Sequence, residues 1–312
     1  MIYEHASVML DEAVEKLITN PSGTYVDCTL GGAGHARAIL SRLDGGLLIG
    51  IDRDQDAIDV ASERLSGHNV RLVRDNFGRL DQILDDLSID RIDGAIFDLG
   101  VSSHQIDDAP RGFSYMHDAP LDMRMDTRQA LTAFDVVNGY SEERLVNIFS
   151  AYGEERFSKR IARAIVERRR EKNINTTAQL VDVIKRAAPM IKGGGHPAKR
   201  VFQAIRIEVN NELGVIEGAI RAAVNRLNVG GRIVVITFHS LEDRIVKSTF
   251  KELATDCICP KNIPVCVCGH RAQIKILGRA ATPAADEIER NSRAKSAKLR
   301  AAEKITVCLG GN

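Results

Sequence analysis

The sequence predicts an α/β fold in which a parallel sheet is interrupted by an all-helical insertion. In the first hundred residues, short apolar runs alternate with segments of helical spacing, which is typical of a sheet covered by helices on both faces. From about residue 114 the strand signal fades, and it returns only in GGRIVVITF at 230–238. We therefore predict a sheet domain formed by 1–112 and 213–312, and a helical insertion domain at 113–212.

The positions of apolar residues define the single elements. The runs predicted as strands are TYVDCTL, GLLIGIDRD, VRLVRDN and IDGAIFDLG, and helices are predicted through Ala36 and Ile39, through Ile58 and Ala61, and through Leu80 and Ile83. In the insertion, FSKRIARAIVERRR places Phe157, Ile161 and Ile165 on one helical face. The segment TTAQLVDVIKRAAP begins with a Thr176–Gln179 capping box and ends at Pro189.

Composition restricts the class of protein. A chain of 312 residues with 44% hydrophobic and 27% charged residues is typical of a soluble globular protein of about two domains. The formal net charge of +1 predicts no overall attraction to nucleic acid, so any basic surface must be local. We expect no signal peptide and no membrane span, because the acidic N-terminus and the short apolar runs fit neither. The six unevenly spaced cysteines favour a reducing cytoplasm over a disulfide framework.

A glycine cluster, VDCTLGGAGH at 26–35, follows the first predicted strand, where a ligand binds in open parallel sheets. Asp52 ends the second strand, and an acidic residue there binds the ribose hydroxyls of an adenosine in both NAD enzymes and S-adenosylmethionine enzymes. Two features favour S-adenosylmethionine. Arg37 stands where the dinucleotide fingerprint requires Gly or Ala, and Asp27 would repel a pyrophosphate but attract a sulfonium and an ammonium group. The alternative is a purely structural turn.

Two further strand ends carry candidate residues. Phe77 follows the third strand, where an aromatic ring either stacks on adenine or belongs to the core. Asp98 ends the fourth strand and would be the third carboxylate at this edge of the sheet, although a strand-end cap is the alternative. We expect Asp98 to orient an acceptor group.

Cations and aromatic residues follow the fourth strand in RGFSY and LDMRMD. Arg111, Phe113, Tyr115 and Arg124 are candidates for an RNA surface, and a loop packed on the insertion is the alternative. In ITFHSLEDR, His239 either acts near the substrate or is a packed, hydrogen-bonded histidine. For Ser240, which follows His239, we predict a capping box with Asp243.

Two further groups of residues carry candidate chemistry, a cysteine cluster near the C-terminal end and a set of basic residues in the insertion and the tail. Cys257, Cys259, Cys266 and Cys268, with His270 as a substitute ligand, have the residue types of a structural zinc site, and reduced thiols in a loop are the alternative. The basic residues that can supply local phosphate contacts, or form only a solvated helix face, are Arg168 to Arg170, Lys199, Arg200, Arg290, Arg293, Lys295, Lys298 and Arg300.

Several blocks together resemble the bacterial 16S rRNA (cytosine-1402-N4)-methyltransferase family. These blocks are HASVMLDEAV, DCTLGGAGH, GIDRDQDAI, FDLGVSSHQID, RGFSY, PLDMRMD, KRVFQAIRIEVNNEL, TFHSLEDRIVK and SRAKSAKLRAAEK. The resemblance implies a Rossmann-like S-adenosylmethionine-dependent methyltransferase sheet, a helical insertion that helps to recognise ribosomal RNA, and an RNA role for the basic tail. It also implies S-adenosylmethionine contacts at Ala33, Gly34, His35, Asp52, Phe77, Asp98 and Gln105. The family usually has proline where His104 stands.

The function expected from this resemblance is methyl transfer to N4 of a decoding-region cytidine in the small ribosomal subunit. Because the N4 lone pair is delocalised into the ring, we expect Asp98 and nearby carbonyl groups to orient a flipped-out base, with His239 as a second catalytic candidate. The alternatives are a methyltransferase for DNA or another RNA, an NAD-dependent dehydrogenase and a non-catalytic RNA-binding module. The sequence leaves a homodimer open.

Overall fold

The computed structural model describes residues 7–189, 196–257, 259–260, 265 and 267–305. The chain divides into two compact units: the sheet unit, residues 1–100 and 213–312, and the helical unit, residues 101–212. The first boundary therefore follows residue 100, whereas the sequence placed it after residue 112. The reason lies in packing, because Val101 and Phe113 belong to the hydrophobic cluster of the helical unit.

The strands of the sheet unit form one mixed sheet. They are β1 (Thr24–Asp27), β2 (Leu47–Asp52), β3 (Val70–Arg74), β4 (Ile92–Asp98), β5 (Leu227–Thr237), β6 (Ile274–Ile276) and β7 (Lys298–Lys304). Their order is β3-β2-β1-β4-β5-β7-β6. The sheet is parallel from β3 to β5, and β7 runs antiparallel to both β5 and β6. This architecture confirms the predicted α/β class, and the β6–β7 pair is an addition that the sequence did not predict.

The helices follow the strands in the expected alternation and then fill the insertion. In chain order they are α1 (Leu10–Leu17), α2 (Gly34–Leu40), α3 (Gln55–Arg64), α4 (Leu80–Asp86), α5 (Ser103–Asp107), α6 (Ala133–Gly139), α7 (Glu142–Ala151), α8 (Ser158–Glu171), α9 (Thr177–Ala187), α10 (Ala198–Asn210), α11 (Ile216–Arg226), α12 (Ser240–Leu253) and α13 (Ala285–Arg290). Within the described residues, no helix has the length and apolarity that a bilayer span requires.

The sheet is buried on both faces, which explains its nearly continuous apolar strands. Along β5, Ile233 and Val235 join one hydrophobic cluster with α4, α11 and α12, whereas Val234 and Ile236 join the opposite cluster with α1 and α2. Because successive strand residues point to opposite faces, each must be apolar when both faces are covered. The loops at the edges of the sheet therefore follow strands that are packed on both faces.

The helical unit has a hydrophobic cluster of its own. On α7 the buried residues Leu145, Ile148 and Phe149 have the spacing of one helical face. The Thr176 side chain caps α9 by accepting the Gln179 N–H, while the Gln179 side chain bonds to Asn175 rather than to Thr176. The bond from the Gln179 N–H to the Thr176 side chain is therefore present as predicted. The return bond of the capping box goes to the N–H of Asn175, one residue before Thr176.

Candidate active site

Three carboxylates end neighbouring strands at one edge of the sheet. Asp27 on β1 pairs with Gly50 on β2 and with Ile96 on β4, so Asp52 and Asp98 lie two residues further toward the loops. The strand order reverses between β1 and β4, and ligands of open α/β sheets bind at such a switch point. The carboxylates that the sequence predicted to share this edge are therefore brought together.

Asp52 is held by the backbone of the glycine loop. Its Oδ2 accepts the Gly31 N–H at 2.9 Å, and its Oδ1 accepts the Asp54 N–H at 2.9 Å. Gly31 has φ +47°, a left-handed conformation that glycine adopts readily, and this turn aims its N–H at the carboxylate. Burial raises the pKa of Asp52, and these two hydrogen bonds oppose the rise. Each oxygen keeps a lone pair for a ligand hydroxyl.

Asp27 is buried, and only one of its oxygens is bound. Oδ1 accepts the Thr29 N–H at 3.1 Å, while Oδ2 has no hydrogen-bond partner among the described residues. Burial, with a smaller contribution from Asp52, raises the pKa of Asp27 to about 7 although the Thr29 N–H opposes this. A buried oxygen without a partner is an acceptor that a cationic or N–H-bearing ligand would satisfy.

Asp98, at the end of the neighbouring strand β4, also has a buried carboxylate oxygen without a hydrogen-bond partner among the described residues. Its N–H donates to Thr29 Oγ1 at 2.6 Å, which ties the end of β4 to the loop after β1. The side chain is 24% exposed, yet Oδ1 is buried and has no hydrogen-bond partner in the described part of the chain. Burial, followed by the charges of Asp27 and Glu242, raises the pKa of Asp98 well above its usual value. Asp98 is thus a basic carboxylate with an open acceptor.

His35 faces Asp98 from the first turn of α2. Its Nε2 lies 3.2 Å from the Val8 carbonyl oxygen, and its Nδ1 lies 3.6 Å from Asp98 Oδ2. Burial lowers the pKa of His35 to about 4, so the ring is neutral near pH 7. We assign the ring proton to Nε2 because a carbonyl only accepts, which leaves a lone pair on Nδ1 toward Asp98. The sequence indicated His35 as a cofactor contact and did not predict this pairing.

Glu242 is a buried acid that the sequence interpretation missed. Its Oε2 accepts the N–H groups of Phe238 (2.7 Å) and His239 (3.2 Å) after β5. His239, rather than Ser240, is the N-cap of α12, and its Nδ1 accepts the Glu242 N–H at 3.4 Å. The predicted Ser240–Asp243 capping box is therefore wrong by one residue. The signal was present, since Glu242 stands at the third position after His239, where a capping box has its acid.

His239 therefore has the packed, hydrogen-bonded role that was one of its two interpretations. Its Nε2 is buried and lies 3.1 Å from Glu242 Oε1 without hydrogen-bond geometry. The ring follows β5, which pairs with β4 at Asp98 and Ile236. A catalytic role of His239 stays a prediction.

The glycine loop also contributes to the packing of the fold. A Cβ atom on Gly34 would clash with Ser7 Oγ, so the absent side chain makes room for Ser7. Ala33 has φ +62° and precedes α2 as its N-cap. Gly32 has only the Arg64 guanidinium near its Cβ position, and that group donates to the Gly32 carbonyl at 2.7 Å.

A comparison with protein-family models shows the family of the chain. The model of the MraW methylase family matches residues 2–305. The chain belongs to this family. The family resemblance that the sequence blocks indicated is thereby confirmed.

Individual MraW family relatives match along their whole length. Ribosomal RNA small subunit methyltransferase H of Clostridioides difficile is 55% identical over 311 residues, which cover 98% of this chain and all of the relative. The protein of the same name from Caldicellulosiruptor saccharolyticus is 53% identical over 307 residues, with 97% and 100% coverage. Among solved structures, an rRNA methylase from Streptococcus thermophilus aligns with a TM-score of 0.41 and 14% identity over 95% of this chain and 93% of that one.

Phe77 lies in the core of this MraW family chain. It is 9% exposed and packs edge-on against Phe97, with ring centroids 5.6 Å apart. Gln105 lies in the helical unit, where its side chain accepts the Ser102 N–H at 3.0 Å and its own N–H donates to Ser102 Oγ. The cofactor contacts predicted for both residues stay predictions.

The four residues predicted to bind RNA stabilise the helical unit. Arg111 donates to the carbonyl oxygens of Arg124 (2.9 Å) and Met125 (3.1 Å). Arg124 forms a two-pronged ion pair with Asp122, at 2.9 and 2.7 Å. Phe113 is buried, and Tyr115 stacks on His196 with ring centroids 4.7 Å apart. The alternative interpretation, a packed loop, accounts for these contacts, and RNA binding by these residues stays a prediction.

The basic tail is not one solvated helix face. Lys298 and Arg300 lie on β7, and they bind Asp243 of α12 at 3.0 and 2.8 Å. Burial would raise the pKa of Asp243, but these two cations lower it below its usual value. Arg290 pairs with Asp286 at 2.8 Å. Part of the predicted phosphate surface is thus used within the sheet unit.

Proposed function

We propose that this chain transfers the methyl group of S-adenosylmethionine to N4 of a cytidine, equivalent to position 1402, in the decoding region of 16S rRNA. Membership of the MraW methylase family and the name of its relatives, ribosomal RNA small subunit methyltransferase H, support the reaction class and the RNA. The sequence blocks that resemble the cytosine-N4 family support the base and the atom. The proposal places the enzyme in the cytoplasm with the small ribosomal subunit as its partner.

The observation that carries the proposal is the pair of unsatisfied carboxylate oxygens at the switch point. Asp27 Oδ2 and Asp98 Oδ1 are buried acceptors without partners among the described residues. A cationic methyl donor and an amino group are the two ligand types that such a pair fits. When bound, S-adenosylmethionine supplies the methyl group. Asp52 is suited to the ribose hydroxyls and Asp27 to the positive charge.

Asp98 is the group that handles the acceptor. We assign Oδ1 to the N4 amino group, where it accepts a hydrogen bond and then the proton that leaves as charge develops on nitrogen. A raised pKa makes this carboxylate a stronger base once it is ionised. A cation bound beside them lowers the pKa of both carboxyls, which favours the ionised form of Asp98. The neutral imidazole ring of His35 restricts rotation of the Asp98 side chain.

The test is transfer of labelled methyl groups to small subunits isolated from cells that lack this modification, with naked 16S rRNA in parallel. Mass spectrometry of the digested RNA then identifies the nucleoside. We expect N4-methylated cytidine at one decoding-region site, and more label on assembled subunits than on naked RNA. Label at another base or atom would contradict the assignment of the acceptor. If the protein binds S-adenosylmethionine but transfers no label, 16S rRNA is not its substrate. Sedimentation of the free enzyme checks the homodimer.

A further inference from the structure

Three cysteine sulfurs converge in the segment between α12 and β6. The Sγ atoms of Cys257, Cys259 and Cys268 lie within 4.8 Å of one another, and those of Cys257 and Cys268 are 3.9 Å apart. Cys266, the fourth cysteine of the sequence pattern, lies outside the described residues. His270 is not part of this group in the described chain, so the structure does not use it as the substitute ligand.

Hydrophobic burial does not explain this convergence. Cys257 and Cys268 are exposed and Cys259 is only partly buried, whereas Cys28 is buried in the sheet core. Reduced cysteine behaves as a small apolar residue that is usually buried. Side chains of that kind gain little from meeting at a surface unless something binds them there.

We propose that the thiolates of Cys257, Cys259 and Cys268 bind one zinc ion with a structural role. A tetrahedral zinc with Zn–S bonds of about 2.3 Å requires neighbouring sulfurs roughly 3.8 Å apart. The 3.9 Å between Cys257 and Cys268 meets this requirement. The Val267 N–H also donates to Cys259 Sγ at 3.4 Å, and such a bond stabilises a thiolate ligand.

The position of the group indicates what the metal does. The segment leaves α12 after Leu253 and enters β6 at Ile274, and hydrogen bonds close its base, from Gln273 N–H to the Leu253 carbonyl and from Ala272 N–H to Asp256. Its described part contains no helix or strand, and Val265 and Val267 are 69% and 76% exposed. A long segment without a core of its own needs a cross-link to hold one conformation. The thiolates of Cys257 and Cys268 would join its two sides.

The experiment measures metal in the untagged protein purified with a phosphine reductant. Elemental analysis should find one zinc per chain in the natural protein. The variants Cys257→Ser and Cys268→Ser should lose at least about nine tenths of it, because each removes one of the three thiolate ligands. Cys308→Ser, at a cysteine outside the described residues, should retain it. Cobalt exchanged into the natural protein should show thiolate charge-transfer absorption that Cys257→Ser lacks.

Three results would overturn the proposal. One is natural protein with no more zinc than Cys257→Ser and no cobalt–thiolate absorption. Another is full zinc content in the Cys257→Ser, Cys268→Ser double variant. The third is a Cys257–Cys268 disulfide in cells lysed directly into alkylating reagent. Circular dichroism on every variant checks that loss of metal does not reflect loss of the fold, since the sheet unit has its own hydrophobic clusters.

Discussion

The sheet unit and the helical unit differ in whether their buried polar groups have hydrogen-bond partners. In the described part of the chain, four buried side-chain polar atoms lack a hydrogen-bond partner, and all belong to the sheet unit: Asp27 Oδ2, Asp98 Oδ1, His239 Nε2 and His270 Nδ1. An unsatisfied buried group costs about 1–3 kcal/mol of folding free energy. Two of the four lie at the switch point of the sheet, where a ligand would supply the missing partner.

The polar groups of the helical unit are used in its own structure. The buried Asn210 side chain accepts the Met125 N–H at 2.8 Å and donates to the carbonyl oxygens of Met123 and Arg206. Arg206 also pairs with Glu212 at 2.8 Å. The charge or polarity of a residue in the sequence therefore does not tell whether it acts on a ligand or stabilises the fold. The presence or absence of a hydrogen-bond partner in the structure does.

The largest effect is expected at Asp98. Asp98→Asn should lower methyl transfer by about 10²–10⁴-fold, because it removes a proton acceptor. It should leave the free energy of unfolding within about 1 kcal/mol, since the raised pKa shows that the fold does not favour the charged form. Methyl-transfer kinetics and urea unfolding measure the two quantities. Unchanged turnover of Asp98→Asn, with or without a large loss of stability, would show that Asp98 has only a structural role.

Asn210 should give the opposite pattern. Asn210→Ala should lower the free energy of unfolding by about 3 kcal/mol, because it leaves the buried Met125 N–H and Met123 carbonyl without their partner. Asn147→Ala, on the exposed side of α7, is the matched control and should change it by less than about 0.5 kcal/mol. Equal effects of the two substitutions in urea unfolding would show that the Asn210 network is not stabilising.

Asp27 should make cofactor affinity depend on pH. With a pKa of about 7, its ionised fraction rises roughly tenfold between pH 6 and pH 8, so binding of cationic S-adenosylmethionine should tighten about tenfold. The raised pKa means that the folded chain holds this proton more tightly than the unfolded chain. The stability of the unliganded protein should therefore fall as pH rises through about 7.

Calorimetry across this pH range, with Asp27→Asn in parallel, separates Asp27 from the titration of the ligand. The Asn variant should bind more weakly at pH 8 and lose the difference between pH 6 and pH 8. An unchanged pH profile in the variant would exclude Asp27 as the group that meets the positive charge.

The smallest effect concerns the predicted RNA contact at Arg124. Arg124→Gln should lower the free energy of unfolding by about 1 kcal/mol, because it breaks a partly exposed two-pronged pair with Asp122. If the role is only structural, the salt dependence of RNA binding should not change. A salt slope reduced by about one, with unchanged stability, would instead make Arg124 a phosphate contact.

Sequence patterns were most reliable where a local rule was strict. The strands β1, β2 and β4 required continuous apolar runs because both faces of the sheet are covered, and their terminal acids then had to share an edge. Patterns failed where a distant partner decided the outcome. The segment KLRAAEK contains helix-forming Ala, Glu and Lys, yet it forms β7 because β5 and β6 offer their backbone groups on both sides.

The sequence by itself determined the strands β1 to β5, the glycine loop, the three strand-end acids and the family blocks, since each depends on neighbours close along the chain. Only the tertiary structure decided which polar groups have partners. Asp243 acquires Lys298 and Arg300, and Arg111 acquires the carbonyl oxygens of its own loop. In contrast, Asp98 Oδ1 has no partner among the described residues, although Oδ2 of the same carboxylate lies 3.6 Å from His35. The physical reason is that a hydrogen bond depends on distance and direction in space, which residue types and their spacing do not specify when the partners are far apart in the chain.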